Sequence, residues 1–212
     1  MKTWPIALMA AALSALTGLL LSTAIARDNT SADESDLETA IFAGGCFWCT
    51  ESDFEHVVGV VSAVSGYTGG HEANPTYAQV SAGQTGHTEA VKIQFDPTKV
   101  SYSELIERFW HSIDPTDAKG QFCDKGSQYR STVFYLDDTQ KRIAEESLAA
   151  LNKNKPFAAP IVTEITAAST FYPAEDYHQD YYKRNSYRYK FYRWGCGRDQ
   201  RLEELWGKPA TS

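Results

Sequence analysis

The sequence predicts an α+β fold: a mixed-sheet, two-layer sandwich of the split βαβ, ferredoxin-like kind. Two observations predict it. Short valine- and isoleucine-rich runs take turns with stretches of helical spacing, and a β-α-β-β-α-β order can be drawn through them. No internal repeat or low-complexity segment breaks the pattern. A length of 212 residues, 42% hydrophobic and 22% charged, suits one globular domain.

The chain opens with MKTWPIALMAAALSALTGLLLSTAIA. A basic start, a short apolar core and an Ala24-Ile25-Ala26 ending describe a secretory signal peptide over residues 1–26, with an uncleaved anchor as the competing reading. Its removal takes away Lys2 and moves the formal charge from −7 to −8. An acidic exported chain is a poor nucleic-acid binder. The basic and aromatic run at 182–201 is therefore read as a solvated face or a partner-docking surface.

Residues 27–38 form a polar, acidic, flexible lead-in, and residues 39–212 a single domain ending in a cysteine-bearing tail. Within the domain, TAIFA (39–43) reads as a short buried strand and 47–56 as a helix. The valine-rich run 57–66 is a second strand, and 66–75 is a loop by its glycines and Pro75. TEAVKIQF (88–95) is a third strand, ended by Asp96-Pro97. Ser101 is placed to cap a helix over 101–113, where Ile106, Phe109 and Ile113 follow helical spacing. After a loop at 115–127 come a strand (128–136), an amphipathic helix (138–153) and a strand (161–167). Short helices are expected at 174–185 and 199–206.

Two side chains stand out on position alone. A strand ending in Gly44-Gly45 can turn sharply, so a following helix would begin near Cys46. Orphan amides and the positive dipole end would then face its sulfur, and such a site lowers a thiol pKa from about 8.5. Cys46 is a candidate nucleophile; a disulfide half or an inert buried thiol is the alternative. Along 88–95 the side chains alternate, so Glu89 shares the apolar face of Val91, Ile93 and Phe95. A carboxyl pointing inward is raised above about 4.3 and can stay neutral as a proton donor. A buried Glu paired with an arginine would serve structure only.

The cysteines are Cys46, Cys49, Cys123 and Cys196. In an exported chain they suggest disulfides, with three full pairings possible. Zinc sites draw ligands from two close pairs, and only Cys46 and Cys49 are close, so no metal is expected.

GCFWCTE (45–51) closely resembles the active-site motif of A-type peptide methionine sulfoxide reductases. GYTGG (66–70), NPTY (74–77), GHTEAVKIQFDP (86–97), DKGSQYRS (124–131) and FYPAEDYHQDYY (171–182) resemble that family's later blocks, in order. The resemblance implies an α+β sandwich that reduces the S epimer of methionine sulfoxide, free or in proteins, without a cofactor. It puts the nucleophile on Cys46 and the acid on Glu89. It puts the methyl-holding aromatics on Phe47 and Trp48, the oxygen-binding tyrosines on Tyr77 and Tyr129, and a nearby aspartate on Asp124. A sulfenic acid left on Cys46 would condense with a second thiol. Cys196, between glycines in a tail that could reach the site, is preferred over Cys49 and Cys123. Cys49 is expected to point about a turn away.

The implied partners are oxidised proteins or peptides and a thioredoxin-like dithiol donor, with no nucleic acid. Membrane contact is expected only through the signal segment, and the expected location is outside the cytoplasm, in a periplasm. Two other readings compete: a thioredoxin-like oxidoreductase built on Cys46-x-x-Cys49, and an exported binding domain stapled by disulfides.

Overall fold

The computed structural model describes Met1 and residues 36–208. Residues 2–26 of the expected signal segment and most of the expected lead-in lie outside the described residues. Among the described residues, no helix is long and apolar enough to cross a membrane.

In chain order the elements are β1 (Glu38–Gly44), α1 (Phe47–Glu55), β2 (Val60–Thr68), α2 (Tyr77–Ser81), β3 (Thr88–Phe95), α3 (Tyr102–Ser112), β4 (Gly120–Gln121) and β5 (Asp124–Lys125). Then follow β6 (Ser131–Tyr135), α4 (Asp138–Asn154), β7 (Glu164–Ala167), β8 (Tyr172–Pro173), α5 (Tyr181–Arg184), α6 (Ser186–Gly195) and α7 (Arg198–Trp206). The main sheet runs β7-β6-β1-β3-β2-β8. Its centre, β6-β1-β3-β2, is antiparallel throughout. β1 and β2 are therefore parallel to each other, joined by α1 and split by β3, which is the expected arrangement. β7 adds parallel to β6 and makes the sheet mixed.

The alternation read along β3 decides how the layers pack. Val91, Ile93 and Phe95 join Ala40 and Phe42 of β1 in a core under α1 and α3. The Phe42 ring lies 5.2 Å from Phe54 of α1 and 5.0 Å from Phe109 of α3. Leu105, Ile106, Phe109 and Trp110 are fully buried, one face of α3. Burying each such side chain contributes about 1.5–3 kcal/mol. On the other face of the sheet, Ile41, Ala43, Ala90 and Phe134 are covered by Ala168 and Phe171.

α3 starts where its sequence says. The Ser101 side chain accepts from the Glu104 amide, and the Glu104 carboxylate accepts from the Ser101 amide at 2.7 Å, a capping box.

Three elements differ from expectation. β2 begins at Val60 because Gly59, at φ +101°, turns the chain, and Val58 is exposed. The strand expected from 128 begins at 131, because Ser127–Tyr129 coil into a 3-10 turn. The helix expected over 174–185 is reduced to α5, and 186–195 form a helix that was not expected. That run carries aromatics on every side, so no apolar stripe marks it: Tyr189 is buried, while Tyr187, Phe191 and Trp194 are exposed.

The tail is also not a free arm. Buried Arg198 donates to the Gly44 carbonyl (3.1 Å) and the Ser112 carbonyl (2.7 Å). The Trp206 indole donates to the Ile113 carbonyl at 3.2 Å. These bonds fix α7 to the end of β1 and to α3, next to the glycine turn.

Candidate active site

The glycine turn works as its sequence predicts. Gly45 has φ +84°, and a Cβ there would lie 2.5 Å from the Gln121 Cβ, so only glycine fits. The turn delivers Cys46 to the cap of α1, where its own side chain makes no capping bond to the first amides. Glu89 makes one instead: the Phe47 amide donates to Glu89 Oε2 at 3.0 Å. β1 and β3 are adjacent strands, so sheet register brings the carboxyl beside the cysteine.

Glu89 is buried, and its pKa is pushed up to about 8. Burial is the main cause, the charges of Asp124 and Cys49 add to it, and the Phe47 amide opposes it. The Cys46 thiol is also pushed up, first by burial, then by the contact with Cys49 and the charge of Glu89. The Tyr192 hydroxyl, hydrogen-bonded to Cys46, works the other way. Burial thus acts on Cys46 against the lowering expected of a helix end.

Cys49 also lies elsewhere than expected. With Cys46 at the cap, Cys49 is three residues on, and residues three apart on a helix are neighbours. The two buried thiols lie in contact. That contact lowers the Cys49 pKa, burial opposes it, and Arg198 and Arg193 lower it further.

One cavity of about 70 Å³ is lined by Cys46, Phe47, Trp48, Tyr77, Glu89, Asp124, Tyr129 and Tyr192. It gathers all seven residues expected in the catalytic and substrate-binding roles. Tyr77 comes from the start of α2, Tyr129 from the 3-10 turn and Asp124 from β5. Burial and Glu89 raise the Tyr77 hydroxyl to about 12 and push Tyr129 up as well, so both stay protonated donors. Burial raises Asp124, while the Tyr192 hydroxyl, at 2.5 Å from its Oδ2, lowers it.

Two residues of the 174–180 turns hold the aromatics. Glu175 accepts from the Tyr67 hydroxyl and the Tyr77 amide, both at 2.8 Å. His178 Nδ1 accepts from the Trp48 indole at 3.1 Å, so its proton sits on Nε2. Burial lowers the His178 pKa and keeps the ring neutral. That ring packs 4.9 Å from Phe47 and 4.4 Å from Tyr77.

Cys123 and Cys196 are joined in a disulfide, while Cys46 and Cys49 are free. Cys196 caps the C-terminal end of α6, and its Sγ lies 3.9 Å from Asp124 Oδ2. Tyr192, one turn earlier, is the site residue the sequence reading missed. Its only signal was the four-residue spacing to Cys196. A larger cleft of about 680 Å³, lined by Arg108, Arg193 and Trp206 among others, contains none of the eight cavity residues. The chemistry is therefore sought in the small cavity, where the titratable groups converge.

The peptide methionine sulfoxide reductase family model matches residues 38–210. A peptide methionine sulfoxide reductase MsrA of Listeria monocytogenes serotype 4a is 51% identical over 173 residues, 82% of this chain and 98% of that protein. The MsrA of Limosilactobacillus reuteri is 54% identical over 171 residues, 80% of this chain and 97% of the relative. Among solved structures, methionine sulfoxide reductase A of Corynebacterium diphtheriae superposes with a TM-score of 0.62 at 35% identity, covering 71% of this chain and 76% of that one. Reduced Mxr1 of Saccharomyces cerevisiae gives 0.66 at 30% identity, covering 73% and 88%.

Proposed function

The chain belongs to the peptide methionine sulfoxide reductase family, type A, and from that premise we propose that it reduces the S epimer of methionine sulfoxide at the Cys46 cavity. The observation that carries the reading is a buried, protonated carboxyl, two tyrosine hydroxyls and a thiol lining one small cavity.

A sulfoxide sulfur is a weak electrophile, and its oxygen leaves only once protonated. The S-methyl group packs against Phe47 and Trp48, where sulfur–aromatic contact is favourable. Tyr77 and Tyr129 donate to the oxygen as charge develops on it. Cys46 Sγ attacks the sulfoxide sulfur. As it does so its thiol proton passes to one oxygen of the Glu89 carboxyl, whose other oxygen gives its proton to the sulfoxide oxygen. The S–O bond then breaks and oxygen ends on Cys46 Sγ, leaving Cys46–SOH and methionine. The substrate sulfur gains two electrons, the cysteine loses two, and the proton taken from Cys46 leaves Glu89 protonated.

In a chain with all four cysteines reduced, Cys196 attacks Cys46–SOH, releasing water and forming Cys46–S–S–Cys196. Cys123 then attacks Cys196 Sγ and frees Cys46. The bridge described above is the end state of that sequence, and the exposure of Cys123 suits attack by a soluble thioredoxin-like dithiol. A second reading is favoured by one contact: Cys49 touches Cys46 and could itself condense with the sulfenic acid.

The test is one equivalent of substrate added to fully reduced protein, without reductant, followed by peptide mapping. A Cys123–Cys196 bridge in wild type and a dimedone adduct on Cys46 in Cys196→Ser are expected. A Cys46–Cys49 bridge in wild type would replace the first reading by the second.

Export follows the N-terminal segment, and periplasmic delivery with cleavage after Ala26 is part of the proposal. N-terminal sequencing of the exported protein should begin at Arg27; a retained Met1 would contradict it.

A further inference from the structure

Tyr192 is used by no step above, yet it lines the cavity with the groups that are. Its hydroxyl donates to Asp124 Oδ2 at 2.5 Å and lines the same cavity as the Cys46 thiol. It lines the cavity from α6, while the remaining lining groups come from residues 46–129. The Cys196 amide bonds the Tyr192 carbonyl at 2.9 Å, so the two sit on consecutive turns of one helix.

The bridge holds this arrangement from both ends. Cys196 closes the helix that carries Tyr192, Cys123 is the chain neighbour of Asp124, and the Cα atoms of Cys123 and Cys196 lie 4.9 Å apart. One covalent link thereby fixes the hydroxyl and the carboxylate that binds it.

The bridged site has little room. Its volume of about 70 Å³ is far below the roughly 300 Å³ at which ligand pockets begin. The Trp48 face is also taken: the Tyr181 ring stacks on it at 3.7 Å with an interplanar angle of 6°, and Tyr192 meets it edge-on at 5.8 Å. Both contacts come from the C-terminal segment that the bridge ties down.

We propose that Tyr192 is a positioning residue whose hydroxyl stands in the place of the substrate oxygen while the Cys123–Cys196 bridge is closed. Sulfoxide then enters only after the bridge is reduced. The inference rests on the reading of the cavity as the sulfoxide site. It orders the cycle: the dithiol donor acts first, cleaving the bridge to two thiols and leaving as a disulfide. α6 then withdraws Tyr192, and the substrate binds. A bridged enzyme with a free Cys46 is thereby kept from a second oxidation it could not resolve through Cys196.

The experiment uses Cys46→Ser, which cannot turn over, in the bridged and the reduced state. Binding of a peptide carrying S-methionine sulfoxide is measured by calorimetry. Reduced protein is expected to bind at least tenfold more tightly than bridged protein. Tyr192→Ala should bring the bridged form to within about twofold of the reduced form, with Tyr192→Phe between the two. The ring-retaining Phe variant and an unchanged urea midpoint show that folding is not at issue. Equal affinity in both states, or a bridged Tyr192→Ala that still binds weakly, overturns the inference. If the reduced protein binds neither epimer, the functional reading falls and the inference with it.

Discussion

Glu89 sets the pH response of the site. A carboxyl near 8 is protonated through the neutral range and loses its proton above it. Sulfoxide turnover should fall as pH rises through about 8, and kcat/KM against pH checks this. Glu89→Gln keeps the shape but has no acidic proton; its kcat/KM should drop about 10²-fold or more, and the limb near 8 should vanish. The same group acts on stability. Its folded pKa lies above the ordinary 4.5, so the folded state holds more protons between 4.5 and 8, and stability declines across that window as pH rises. Glu89→Gln escapes this: its Tm should gain on the wild type from pH 5 to 8, and a constant difference would contradict the burial argument. Cys46 and Glu89 were legible because each sits in a pattern, a glycine turn and an alternating strand. Tyr192 was not, since an exposed-looking aromatic run hides the members that turn inward, Tyr189 and Tyr192. The opposing effect of burial on Cys46 was not legible, because a helix end is visible in sequence and burial is not.

At the scale of elements, caps and turns decide. Ser101→Ala removes one half of the α3 capping box and should cost about 1 kcal/mol, read from urea unfolding. Gly45→Ala forces a Cβ into a positive-φ position 2.5 Å from Gln121. A loss of about 1–3 kcal/mol is expected, with a fall in activity as Cys46 leaves the cap. Unchanged activity would mean that the turn does not position the nucleophile. The strands and the amphipathic helices α3 and α4 were readable from periodicity and caps. The boundaries of β2 and β6 were not, because Gly59 and the turn at Ser127–Tyr129 interrupt apolar runs that continue past them. α6 escaped because its helical period is hidden among aromatics on both its faces.

The whole molecule places two cysteine pairs on either side of Asp124 and Tyr192. The antiparallel order β6-β1-β3-β2 brings Cys46 and Glu89 together from residues 43 apart in sequence, and α7 clamps the tail back onto that junction. The strand order was predictable from the β-α-β-β-α-β pattern; the docking of the tail was not, because it rests on Arg198, a buried charge among exposed ones. The cysteine relay makes a prediction at this scale. Cys123→Ser should complete a first turnover and stop with Cys46 and Cys196 joined, as peptide mapping would show; an unbridged Cys46 would contradict the relay. The central claim is tested most directly by turnover on separated S and R epimers of a methionine-sulfoxide peptide with dithiothreitol, comparing the wild type with Cys46→Ser. The account predicts reduction of the S epimer alone, abolished in Cys46→Ser. Reduction of the R epimer, or S-epimer turnover that survives the loss of Cys46, would contradict it.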